Sequence, residues 1–282
     1  MDSYQVITDR MISLLEQGVV PWHKPWAAGG GGCPKNLVSG KAYRGSNVFI
    51  LACSGYESPY WLTYKQARKR GGYVRRGQKG TQVVFWKFLE VEDPGTGKAK
   101  KIPMLRHYTV FNAEQCGGVN APESASTLEH GFDPIARAEE VVEEMPGRPE
   151  VRHGEPRAFY RLSDDLVNMP KRERFSRPEE YYSTLFHELT HATGHSTRLG
   201  RLKGDSGTAS FGSGSYSREE LVAEMGAAFL SGDAGIVNAT IDNSAAYIAA
   251  WLRRLRDDKK LVIMAAAQAQ KAADYILDRK FD

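Results

Sequence analysis

Across the first twenty residues, Val6, Ile7, Met11, Leu14 and Leu15 recur close to the 3.6-residue period of a helix, and Gly18 follows as a stop signal. Residues 1–20 therefore predict an amphipathic helix. Pro21-Trp22-His23-Lys24-Pro25-Trp26 breaks it, and a glycine-rich run occupies 27–32. Residues 47–52 form a short apolar segment, and 63–70 predict a helix stopped by Gly71-Gly72. Apolar and polar positions alternate over 81–91, which predicts a strand. Asp93-Pro94-Gly95-Thr96-Gly97 predicts a turn, and a second strand over 106–111 closes a hairpin. Small, polar, turn-forming residues fill 117–133 and read as an interdomain linker. Beyond it the pattern predicts a helix over 134–145, strands within 150–168, and a helix that includes 187–191. A Gly/Ser-rich loop over 204–217 separates this from a helix at 218–230, and two alanine-rich helices over 244–257 and 261–278 complete the chain. The fold class is α+β in two domains: a mixed α/β domain over 1–125 and a mostly helical one over 126–282.

Composition adds few constraints. Hydrophobic residues make up 41% and charged residues 26% of the chain, as in ordinary globular proteins. No apolar run approaches the roughly 20 residues of a membrane span, and the acidic N-terminus has no small-residue cleavage site, so neither a membrane span nor a signal peptide is expected. Cys33, Cys53 and Cys116 are odd in number, far apart and outside any CxxC. That argues against a disulfide framework or a cysteine metal site and favours a cytoplasmic location. Charge is more informative. Residues 1–125 hold 17 Lys/Arg against 9 Asp/Glu, a net of +8; the remainder of the 38 and 34 is 21 against 25, a net of −4. A basic first half suits a polyanionic partner.

The sharpest chemical signal is His187-Glu188-Leu189-Thr190-His191. On a helix, positions i and i+4 share a face, so His187 and His191 can present two imidazole nitrogens to one metal. Glu188 then lies within reach of a water activated by that metal and can serve as general base. Ser176-Arg177-Pro178-Glu179 resembles a capping box with proline in the first turn, and Gly194 stands where a C-cap belongs. A third ligand is needed. The extended HExxHxxGxxH pattern is broken by Thr197, and His195 falls two residues short, so a carboxylate from 217–224 is the better source. Glu220 and Glu224 are four apart. One spacing analogy makes Glu220 the ligand and Glu224 the acid that orients a ligand histidine; the reverse assignment fits the same spacing. Glu219 reads as a solvated acid. Two histidines, one carboxylate and an open position suit zinc, or another divalent metal such as manganese, and hydrolytic chemistry.

The first half carries a different signature. No acid occurs between Glu57 and Glu90, while Lys65, Arg68, Lys69, Arg70, Arg75, Arg76 and Lys79 alternate with aromatic residues including Tyr73. Trp22, Trp26, Lys41, Tyr43 and Arg44 enlarge the set. Cations neutralise phosphates and aromatic faces stack on unpaired bases, which favours single-stranded DNA. Within this stretch Trp61, Phe85 and Phe88 read as core.

PWHKPW at 21–26, GKAYRGSNVFIL at 40–51, WLTYKQARKRGGYVRRGQKGTQVVFW at 61–86, FHELTHATGHSTRLGR at 186–201 and YSREELVAEMGAAFL at 216–230 together resemble the ArdC-type antirestriction proteins of conjugative plasmids over essentially the whole chain. The resemblance implies a single-stranded-DNA-binding domain followed by a zincin-like metallopeptidase domain, and a role in protecting incoming plasmid DNA from host restriction. It implies His187 and His191 as metal ligands, Glu188 as catalytic acid/base, and the helix of Glu220 and Glu224 as source of the third ligand. Expected partners are single-stranded DNA and a host restriction enzyme or other protein substrate. The alternative is a protein that only shields single strands, with a structural metal and no peptidase activity.

Overall fold

The computed structural model describes residues 2–23, 32–92, 99–122, 133–202, 214–236 and 245–280. The first helix, α1 (Ser3–Glu16), starts where the Asp2 carboxylate accepts the Tyr4 N–H at 3.0 Å. It ends before the predicted position 20, because Gly18 takes a φ of 77° that a side chain disfavours. Ile7, Met11, Leu14 and Leu15 are buried on one face. The apolar segment after the loop is the helix α2 (Ser46–Ala52), buried along almost all of its length. Short strands β1 (Lys35–Asn36) and β2 (Tyr60–Leu62) flank it, and α3 (Tyr64–Lys69) follows behind a capping box between Thr63 and Gln66. A two-residue strand β3 (Tyr73–Val74) pairs with β6 (Cys116–Gly117), so the start of the predicted linker is sheet; its residues 123–132 lie outside the described residues.

The hairpin is longer than its pattern suggests. β4 (Thr81–Glu92) pairs antiparallel with β5 (Ala99–Asn112) along twelve register positions, Thr81 opposite Val110 through Glu92 opposite Ala99. Pro103, a residue without a backbone N–H, stands inside β5 opposite Phe88. It is tolerated because β2 pairs with β5 only at Phe111 and Asn112, which leaves the outer side of the earlier positions without a ladder to interrupt. The sheet order is β1-β2-β5-β4.

The second half begins with α4 (Pro134–Glu143), capped by Asp133. A small sheet follows, with β7 (Glu150–Arg152) and β8 (Phe159–Arg161) on either side of β9 (Leu166–Asn168). Four helices complete the chain: α5 (Pro178–Ala192), α6 (Gly214–Asp233), α7 (Ala245–Asp257) and α8 (Leu261–Ile276). α6 starts inside the predicted loop; 203–213 lie outside the described residues. Ala265, Ala266, Ala269 and Ala273 give α8 a flat buried face.

The two halves share one core. Its largest cluster joins Ile7, Met11, Trp22 and Phe49 to Phe186, Leu189, Leu221, Val262 and Ala266. Phe49 stacks on Phe229 with ring centroids 4.9 Å apart. Polar ties cross the same seam: the Thr8 hydroxyl donates to the Lys259 carbonyl at 2.8 Å, the Gly45 N–H donates to Gln270 at 3.1 Å, and Arg44 pairs with Asp274. Among the described residues, no helix is long and apolar enough to cross a membrane.

Candidate metal centre

α5 places His187, Glu188 and His191 at the core's edge because its other face is apolar: Leu185, Phe186 and Leu189 are buried. The helix is held differently from the expected capping box. Arg177 occupies the N-cap without a side-chain bond, Pro178 opens the first turn, and the Glu180 carboxylate reaches back to accept the Ser176 N–H at 3.1 Å. Gly194 is not a left-handed cap. The C-cap is Thr193, in right-handed backbone, and a Cβ on Gly194 would stand 2.6 Å from Leu202 Cγ, so glycine here permits the following turn to close over the helix end. That turn delivers Arg201. α6 approaches α5 equally closely: a Cβ on Gly226 would lie 2.4 Å from Thr190 Cγ2.

The close packing of α6 brings two consecutive acids to the histidines. His187 Nε2 and His191 Nε2 are 3.1 Å apart, and each is 3.6 Å from one oxygen of Glu220. Two nitrogens bound to one tetrahedral zinc would be about 3.3 Å apart, given Zn–N bonds of about 2.0–2.1 Å, so these three side chains suit a common divalent ion. Their ligand atoms form the one group of this kind among the described residues. Glu219 meets the other edge of the ring, 3.3 Å from His191 Nδ1. A carboxylate there makes Nδ1 the donor and leaves the lone pair on Nε2. Arg201 fixes that carboxylate with bonds of 2.8 and 3.0 Å and anchors itself on the Thr190 carbonyl and the Thr193 hydroxyl. Glu219, expected to be solvated, thus stands behind a histidine; neither it nor Arg201 is marked by any spacing in the sequence.

Electrostatics match this arrangement. Burial disfavours the charged form of His187, but Glu220, Glu188 and Glu224 outweigh it and push the imidazole up to about 9. Burial raises the Glu219 carboxyl, and His191 and Arg201 more than reverse this, holding it below the ordinary range. A pocket with this excess of carboxylate over imidazole attracts a cation. Glu188 is 8% exposed, and its carboxylate accepts no hydrogen bond from a described residue.

Glu224 is bound elsewhere. Its carboxylate accepts the Trp22 indole N–H at 2.8 Å and the Tyr247 hydroxyl, so the same helix that presents Glu220 is tied to the N-terminal segment. Burial pushes its carboxyl up, partly offset by Tyr247, His187 and Trp22. The arrangement of one acid as ligand and the other behind a histidine therefore does not describe the Glu220–Glu224 pair; the acid behind His191 is Glu219. His195 accepts from Thr197 in an exposed turn and stays outside the cluster.

The residues expected to meet DNA are not placed alike. Lys41, Lys65, Arg68, Lys69, Arg70, Tyr73, Arg75, Arg76 and Lys79 are all exposed, most of them on α3 and the turns around β3. Trp22 and Tyr43 are corrections: both are buried, Trp22 completely, and a ring enclosed in protein offers no face to a base. Arg44 is committed to Asp274. Trp26 lies outside the described residues. Trp61 is core as expected, but Phe85 and Phe88 are exposed, because they sit where the hairpin extends past its sheet.

Known proteins share this architecture. Residues 1–111 match the N-terminal domain of the anti-restriction factor ArdC, and residues 136–268 match a zincin-like metallopeptidase family. The chain is 37% identical over 97% of its length to the DNA primase TraC of Escherichia coli, of which it spans only 27%. It is 34% identical along its whole length to 93% of the uncharacterized protein y4eC of Sinorhizobium fredii. Crystal structures of the antirestriction protein ArdC from plasmid R388 align over 99% of the chain. The metal-free form has 42% identity, covers 97% of that protein and gives a TM-score of 0.77; the Mn(II)-bound form has 40%, 98% and 0.76. With both halves matched in order and a full-length relative at this identity, the chain belongs to the ArdC family of antirestriction proteins, with a zincin-like second domain.

Proposed function

We propose that the chain binds single-stranded DNA through its first domain and hydrolyses peptide bonds at a divalent metal centre in its second, protecting incoming plasmid DNA from host restriction. The observation that carries the catalytic half is the convergence of His187, His191 and Glu220 beside a Glu188 whose carboxylate accepts no hydrogen bond from a described residue. Those three side chains would hold zinc or manganese, which supplies Lewis acidity to a water and a carbonyl. Glu188 takes the proton of the attacking water and passes it to the leaving amine. Glu219, clamped by Arg201, keeps His191 in the tautomer that offers Nε2.

The DNA half is supported by the exposed cations of 65–79 and the acid-free stretch around them. Each phosphate neutralised makes affinity steeply salt-dependent, and unpaired bases add stacking that a duplex withholds. A protein substrate on the transferred strand, such as a restriction enzyme, would thereby be brought to the metal centre. A restriction-protection assay comparing Glu188→Gln with the combined Arg68→Ala, Lys69→Ala, Arg70→Ala variant tests both halves together. Both variants are expected to lose protection. Full protection by Glu188→Gln would leave a protein that only shields DNA, with the metal serving its fold.

A further inference from the structure

β4 and β5 form a two-stranded arm whose faces differ, because successive side chains point to opposite sides. The face carrying Trp86 and His107 is turned to α1: Trp86 meets Tyr4 edge-on at 6.2 Å, and the Ser3 hydroxyl lies 3.1 Å from His107 Nδ1. On the opposite face, Val83 and Val110 at the root are buried with Tyr43 and Trp61. Past that root Phe85, Lys87, Ile102, Met104, Arg106 and Tyr108 all come to the surface.

This open face has a definite chemistry. Phe85 is 45% and Tyr108 41% exposed, with ring centroids 5.8 Å apart. Phe85 leans on buried Tyr43 at 6.0 Å, so the pair is supported from below and loses little freedom when covered. Arg106 lies opposite Phe85 in register and Lys87 opposite Met104, which sets a cation beside each apolar surface. Neither strand places an acid on this face, and Glu90 falls on the other one. Exposed aromatic rings bordered by cations on a sheet form a stacking platform for unpaired bases, whereas a protein partner's charges would be expected to need acids as well as bases opposite them.

We propose that this face of the hairpin is a binding surface for single-stranded DNA, additional to the basic 65–79 region, with bases on Phe85 and Tyr108 and phosphates on Lys87 and Arg106. It rests on the reading that the chain binds single strands. The test is fluorescence anisotropy of a labelled oligothymidylate with the full chain. Phe85→Ala with Tyr108→Ala is expected to weaken binding roughly thirty-fold, at about 1 kcal/mol or more per stacked base, while Phe85→Trp with Tyr108→Phe restores it. Lys87→Gln with Arg106→Gln, exposed positions that leave the core untouched, is expected to lower the slope of log affinity against log salt by about 1.4. Wild-type affinity and slope in both variants would overturn the hairpin surface alone. An unmutated chain that does not bind the oligonucleotide would overturn the DNA reading itself. Loss of self-association in sedimentation, with DNA affinity unchanged, would reassign the face to a second copy of the chain.

Discussion

Trp22→Ala is expected to destabilise the whole chain by about 3–5 kcal/mol, the range for emptying a large aromatic site in a close-packed core. Trp22 is fully buried in the cluster that contains α1, α6 and α8, and its ring lies edge-on to Trp251 at 5.9 Å. Its indole N–H also satisfies Glu224, and a deprived carboxylate adds about 1–3 kcal/mol. Trp22→Phe keeps most of the volume and separates the two contributions. Urea unfolding followed by far-UV circular dichroism measures the loss. Because the core spans both sequence halves, the mutant should still unfold in one transition, shifted to lower urea. A first half that melts alone, with the helices of the second unaffected, would mean that the shared core contributes little.

Glu188→Gln is expected to reduce peptide hydrolysis by about 10²–10⁴-fold, the usual contribution of a positioned general base. The amide preserves size and packing in a side chain that is only 8% exposed, but it cannot accept the proton of the attacking water. Metal content should be unchanged, because His187, His191 and Glu220 supply the converging atoms. Quenched-fluorescent peptide libraries with the metal-loaded protein give the rate, and elemental analysis gives the occupancy. Unaltered turnover at full occupancy would remove Glu188 from the chemistry. Metal lost along with activity would instead give it a structural part.

What was readable in the sequence follows the range of each interaction. The His187–His191 pair is one helical turn, so local spacing alone places both rings on one face. The third carboxylate depends on how α6 rotates against α5, and that rotation is set by the Gly226–Thr190 contact, which has no counterpart in local spacing. Two acids four residues apart invited pairing Glu220 with Glu224. The fold instead uses neighbours: Glu220 faces Nε2 and Glu219 faces Nδ1 of the same ring. Trp22 was misplaced for a similar reason. A tryptophan among prolines and histidine looks like a surface feature, and its partner Glu224 lies 202 positions away. Phe85 erred in the other direction. Apolar strand residues are usually core, but β4 and β5 together run on past the short β2, which pairs with β5 only at Phe111 and Asn112, and this exposes the rings. The helices themselves were legible wherever a buried stripe met a clear stop, as in α1 and α8.

The division of labour within α6 is also the most direct point of test. Isothermal titration with Zn²⁺ and with Mn²⁺ should be run on the unmutated chain and on Glu219→Gln, Glu220→Ala and Glu224→Gln. Glu220→Ala is expected to abolish high-affinity binding. Glu219→Gln should weaken it by about 10–100-fold, as for other groups that orient a ligand histidine. Glu224→Gln, whose partners are Trp22 and Tyr247, should bind metal as the unmutated chain does. The opposite order, with affinity lost in Glu224→Gln and kept in Glu220→Ala, would contradict the metal centre described above.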